Sequence, residues 1–114
     1  MNNLFDIISK SNTAESTYTY VVKLNKQHKV FEGHFPGNPI VPGVMSMMMI
    51  RMLVEDVIGR KTRFTAVKDC KYLQPIVPSD EPLTINFNTD GTAVNAEIIT
   101  SEGVGLMKIK GTIA

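Results

Sequence analysis

Apolar and polar positions alternate along most of this chain, and where they do the period is that of a strand. In STYTYVVKLN, starting at Ser16, the residues Tyr18, Tyr20, Val22 and Leu24 fall on one side, which predicts a strand with one buried face. A shorter strand is expected over 29–32. The second half reads as four more, over 62–73, 83–88, 92–100 and 104–113. Asp90-Gly91 in TDGT predicts a type I′ hairpin turn, since both residues tolerate positive φ, and SEGV is a weaker case of the same kind. Pro75, Pro78 and Pro82 punctuate the connection between two of the strands. Near the start, Leu4, Ile7 and Ile8 have the spacing of a short amphipathic helix behind an Asn2/Asn3 cap.

One stretch departs from the alternation. After Pro42-Gly43 the chain reads VMSMMMIRMLVEDVIGR, with Ser46, Arg51, Glu55 and Asp56 its polar residues ahead of Gly59. That composition suits a helix of about four turns, opened by Pro42 and closed by Gly59. A helix apolar on nearly every side belongs in a domain core. The expected architecture is therefore α+β, with one long buried helix and a mostly antiparallel sheet around it.

Composition narrows the function classes. At 114 residues there is room for a single domain, 1–114. A formal net charge of +1 with 20% charged residues gives no reason to expect nucleic acid or a membrane as partner. Cys70 is the sole cysteine, so no internal disulfide is expected, and no run approaches the roughly 18 apolar residues of a spanning helix. MNNLFDIISK lacks the features of a secretory signal. The expected location is cytoplasmic. Two histidines and one cysteine show no metal-ligand spacing, and no Walker or dinucleotide glycine pattern occurs, so neither metal nor nucleotide cofactor is expected.

The candidate chemistry lies between the strands and the helix. FEGHFPGNPIVPGVM resembles the signature of the 3-hydroxyacyl-acyl carrier protein dehydratases of bacterial fatty-acid synthesis, the FabZ/FabA type, which are hotdog folds. VKDCKYLQPIVPSDEPL is similar to that family's third strand and its Pro-Val-x-Pro-Gly-Asp segment, with Ser79 where the glycine usually falls. The resemblance runs from about Ser16 to the end of the chain and implies an acyl thioester of acyl carrier protein or CoA as substrate.

Dehydration of a 3-hydroxyacyl thioester requires a base for the C2 proton, an acid for the departing hydroxide, and donors for charge gathering on the thioester oxygen. His34 is the natural base, because an ordinary imidazole is substantially neutral at pH 7. The Gly43 N–H, at the helix N-terminus, suits the oxyanion. The resemblance implies the same use of Gly43, and implies that the backbone carbonyl of Ile40 orients the histidine ring. The family's helix acid falls at Met48, whose thioether cannot donate a proton, and the glutamine that often follows falls at Met52. Glu55 shares the helix face of Met48 but lies about 10 Å farther along the axis. Asp69 is the other candidate, although alternation does not fix its face.

Plainer readings stand beside these. His28, in polar NKQHK, reads as structural or exposed. Met45, Met47, Met48, Met49 and Met52 read first as flexible core packing and second as the wall of an acyl tunnel. Arg60, Lys61, Arg63, Lys68 and Lys71 could attract an acidic carrier protein, but a solvated surface is the simpler reading.

Three functions remain open. One is a dehydratase-like protein on 3-hydroxyacyl thioesters, which either uses an unorthodox acid or a water in place of the helix carboxylate or is impaired when alone because position 48 is Met. A second is a non-catalytic or half-site partner subunit, since family dimers bring two long helices together and take histidine and acid from different chains. The expected assembly is a homodimer or a heterodimer with another hotdog subunit, and the half-site reading requires the heterodimer. The third is an acyl-thioester binder or thioesterase, as the scaffold hosts several thioester activities.

Overall fold

The computed structural model describes residues 4–32 and 39–114. Six strands and one long helix follow one another as β1 (Phe5–Ala14), β2 (Thr17–Leu24), a 3-10 turn (Lys29–Phe31), α1 (Gly43–Ile58), β3 (Phe64–Tyr72), β4 (Leu83–Thr89), β5 (Ala93–Thr100) and β6 (Gly105–Ile113). The strands form one sheet in the order β1-β2-β4-β5-β6-β3, antiparallel at each pairing. Strands β1 and β3 are its edges. Among the described residues, no helix is long and apolar enough to cross a membrane.

Period-two patterning explains the sheet's inner face. Tyr20, Val22 and Leu24 of β2, Leu83, Ile85 and Phe87 of β4, Val94, Ala96 and Ile98 of β5, and Met107, Ile109 and Ile113 of β6 are all buried. Against them α1 buries Ser46, Met49, Ile50, Leu53 and Val54. Met45, Met47, Met48 and Met52 are partly buried and pack around that core, in line with the packing reading of the methionines. Pro42 is the N-cap of α1; Gly59 closes it in the left-handed region at φ 76°, with its N–H donating to Glu55 O. This is the α+β hotdog arrangement that the sequence leads one to expect.

Four local expectations are corrected. The N-terminal segment is the edge strand β1, not a helix; Asn2 and Asn3 lie outside the described residues. Only Phe5 of β1 is buried, and pairing with β2 (Phe5↔Leu24 to Ala14↔Thr17) organises the rest, so the backbone ladder overrides the local apolar spacing. Residues 29–31 form a 3-10 turn rather than a strand. The His28 side chain caps that turn, with Nδ1 accepting from Val30 N–H at 3.0 Å, so His28 is structural. TDGT is not a two-residue type I′ turn, because Gly91 has positive φ and Asp90 does not, and Thr89 pairs with Val94 across a longer loop. Asp90 Oδ1 holds that loop by accepting from Thr92 N–H, Ala93 N–H and the Thr92 hydroxyl, which lowers its pKa to about 2. SEGV is a three-residue hairpin loop with Gly103 at φ 86° and its N–H donating to Thr100 O, a geometry distinct from type I′.

Candidate functional site at the N-terminal end of the helix

The chain enters α1 along an irregular segment that the core fixes in place. Val41 is buried, and its N–H donates to the carbonyl of Ile76, itself buried in the loop after β3. Pro42 O then accepts from Met45 N–H (2.9 Å) and Ser46 N–H (3.2 Å), which starts the helix at Gly43. Gly43 is thus its first residue, the position at which a backbone N–H has no partner within the helical ladder. The first turn carries no acidic side chain. Ser46, almost fully buried, donates its hydroxyl to Gly43 O at 2.6 Å.

Tyr72, at the end of β3, lies against the same turn. A Cβ built on Gly43 would meet Tyr72 Cζ and Oη at 2.8 Å, so the glycine makes room for the phenol ring. The Tyr72 hydroxyl lies near Cys70 and Ser46, and burial together with the nearby thiol raises its pKa. The hydroxyl therefore keeps its proton at neutral pH. Neither Tyr72 nor Ser46 stands out in the sequence. The one available signal is Ser46 as a lone small polar residue inside the run VMSMMM.

The structure places the expected site residues as follows. His34 lies outside the described residues. Ile40 is partly buried in the segment leading to α1. Met48 is on the second turn and shares with Val44, Arg51 and Glu55 the helix face opposite the buried row of Ser46, Met49, Ile50, Leu53 and Val54. Val44, on that face, is 72% exposed.

Both carboxylates weighed as replacements for the acid are occupied or misplaced. Glu55 Oε2 accepts from Thr62 N–H at 2.7 Å and from the Thr62 hydroxyl, and pairs with Arg51 at 3.0 Å. It stitches the end of the helix to the start of β3. Asp69 is exposed, 4.0 Å from Lys71 Nζ, and lines a groove of about 460 Å³ with Lys71, Lys108 and Lys110 on the sheet face away from the helix. Bulges between Phe64 and Ala66 and between Val67 and Asp69 break the alternation of β3, which is why its pattern left that face open. The basic residues do not converge: Arg60 donates to Gly91 O at a distant hairpin, and Lys71 sits beside Asp69.

Comparison with known proteins fits this frame. Residues 10–104 match the ApeI-like family, described as ApeI dehydratase. The chain belongs to the ApeI-like dehydratase family. A 3-hydroxyacyl-[acyl-carrier-protein] dehydratase FabZ from Alkaliphilus metalliredigens is 35% identical over 80 residues, which are 64% of this chain and 52% of that protein. The ApeI-like chain therefore spans about half the length of the curated relatives it matches. Among solved structures, the dehydratase heterocomplex ApeI:P from Xenorhabdus doucetiae superposes with a TM-score of 0.82 at 18% identity, covering 96% of each chain. A hypothetical thioesterase with coenzyme A from Streptococcus pneumoniae superposes with a TM-score of 0.62 at 17% identity, covering 96% of this chain and 86% of that one. At these identities the two structures establish the hotdog fold that the ApeI-like chain shares with them.

Proposed function

We propose that this chain is a dehydratase subunit acting on 3-hydroxyacyl thioesters of acyl carrier protein or CoA, and that its site is complete except for the proton donor. His34 takes the C2 proton, and the Ile40 carbonyl orients its ring. The Gly43 N–H, supported by the dipole of α1, stabilises the charge that gathers on the thioester oxygen as the C2–H bond breaks. The departing hydroxide needs a proton, and Met48 has none to give.

The observation that carries this reading is the fate of the two spare carboxylates. Glu55 is committed to Thr62 and Arg51, and Asp69 faces away from the helix. A second hotdog subunit bearing a carboxylate at the position equivalent to 48 would complete one site with His34. Support for such a pairing comes from the exposed Val44 on the helix face of Met48 and from the fold's likeness to a dehydratase that is itself a heterocomplex. The working location is the cytoplasm, where both carriers occur.

The test is hydration of a short 2-enoyl thioester by the purified chain, alone and mixed with an acid-bearing hotdog subunit, with His34→Ala beside each. Turnover that appears with the partner and falls by about 10²–10⁴-fold in the His34→Ala mixture supports the proposal. Equal turnover by the chain alone would sink the half-site reading.

A further inference from the structure

Around the first turn of α1, three polar side chains sit together for which the base, the glycine amide and the missing acid have no use: Tyr72, Ser46 and Cys70. Ser46 is almost fully buried and spends its own hydrogen on Gly43 O, at 2.6 Å. Tyr72 is different: its ring packs on Gly43, yet the residue remains 55% exposed, so one side of the phenol faces whatever approaches that glycine. The hydroxyl sits 2.8 Å from the point where a Gly43 Cβ would be, which puts it against the first residue of α1.

We infer that the Tyr72 hydroxyl is a second hydrogen-bond donor to the thioester carbonyl, acting beside the Gly43 N–H. This deepens the proposed function and rests on it. One donor from the backbone and one from a neighbouring strand make a two-point cradle for an oxyanion, and the two share the developing charge. Ser46, its own hydrogen spent on Gly43 O, lies near the phenol oxygen. The other neighbour, the Cys70 sulfur, is a weak acceptor, so a carbonyl oxygen offers the phenol a better one. The phenol acts as a donor and not as an acid; no proton leaves it, and the acid for the departing hydroxide is still required.

A bound carbonyl reports its donors directly, without turnover. The probe is crotonyl-CoA labelled with ¹³C at the carbonyl, bound to the full chain and read by infrared difference spectroscopy. In the unsubstituted chain the carbonyl stretch should shift to lower frequency than in water. In Tyr72→Phe, which keeps the ring against Gly43, about half of that downshift should be lost while crotonyl-CoA still binds. Thermal unfolding checks that the variant is folded. A full downshift in folded Tyr72→Phe overturns the role of Tyr72 and leaves the thioester reading standing. No binding of crotonyl-CoA by the unsubstituted chain, or binding with no downshift, overturns both.

Discussion

At its C-terminal end α1 ties its charged groups into the fold, whereas at its N-terminal end it presents amide and hydroxyl donors with no carboxylate among them. Glu55 accepts from Thr62 N–H, and Asp56 Oδ2 accepts from the Tyr20 hydroxyl at 2.6 Å and from Lys10 Nζ at 3.1 Å. These contacts fasten the helix to β3, β2 and β1, and Gly59 ends it. The other end has Gly43, buried Ser46 and the half-open Tyr72, next to an exposed Val44. Under the proposed function, the N-terminal end is where the reaction takes place. A carboxylate that satisfies a backbone N–H cannot leave it without cost, while a glycine amide at the start of a helix is ready for a ligand. The difference shows that a catalytic acid is not recovered by finding the nearest Glu in the sequence.

The comparison can be broken first at Glu55. Glu55→Ala leaves Thr62 N–H without its acceptor, takes one of two acceptors from Arg51, and should cost about 2–3 kcal/mol in urea unfolding, with the rate per folded molecule unchanged in the mixture with an acid-bearing partner. Lost turnover at unchanged stability would instead make Glu55 the acid.

A smaller effect is expected at Asp56, whose pKa is lowered by the Tyr20 hydroxyl first and by Lys10 after it. A carboxyl with a lowered folded-state pKa adds stability above the ordinary carboxylate range near 4, and that stability is lost as pH falls through the folded value. Tyr20→Phe should therefore flatten the fall of Tm between about pH 5 and 2, although not remove it, because Asp90 also titrates near the bottom of that window. With Asp56 partly open to solvent, the contribution is roughly 0.5–1 kcal/mol. An unchanged acid slope in Tyr20→Phe would show that this pairing does not form in solution.

The smallest stability change is expected at Gly43. Alanine favours a helix, and its methyl meets only the outer end of the Tyr72 side chain, so Gly43→Ala should stay within about 1 kcal/mol of the parent. Thioester binding should weaken all the same, as the phenol is pushed off the turn. Calorimetric titration with crotonyl-CoA checks this, and unchanged binding would separate that turn from the substrate.

The helix and strands β2, β4, β5 and β6 were legible from their periods because burial in one core enforces those periods. Edges were not legible: β1 buries little besides Phe5 and takes its form from pairing with β2, while bulges in β3 scramble the faces of Asp69 and its neighbours. The proposed site comes from a motif, FEGHFPGNPIVPGVM, and from a gap at Met48. Tyr72 was not legible, since its meeting with Gly43 joins the end of an edge strand to the start of the helix, a contact that no local pattern encodes. For the same reason the sequence could not say that Glu55 is already in use at Thr62.

The central claim is that the site lacks only an acid at position 48, so the most direct measurement restores one. Met48→Glu should give the chain on its own dehydration of a short 3-hydroxyacyl thioester at least about 100-fold above the parent, and His34→Ala in that background should abolish the gain. A folded Met48→Glu protein with no gain, in the presence of demonstrable thioester binding, would contradict the account.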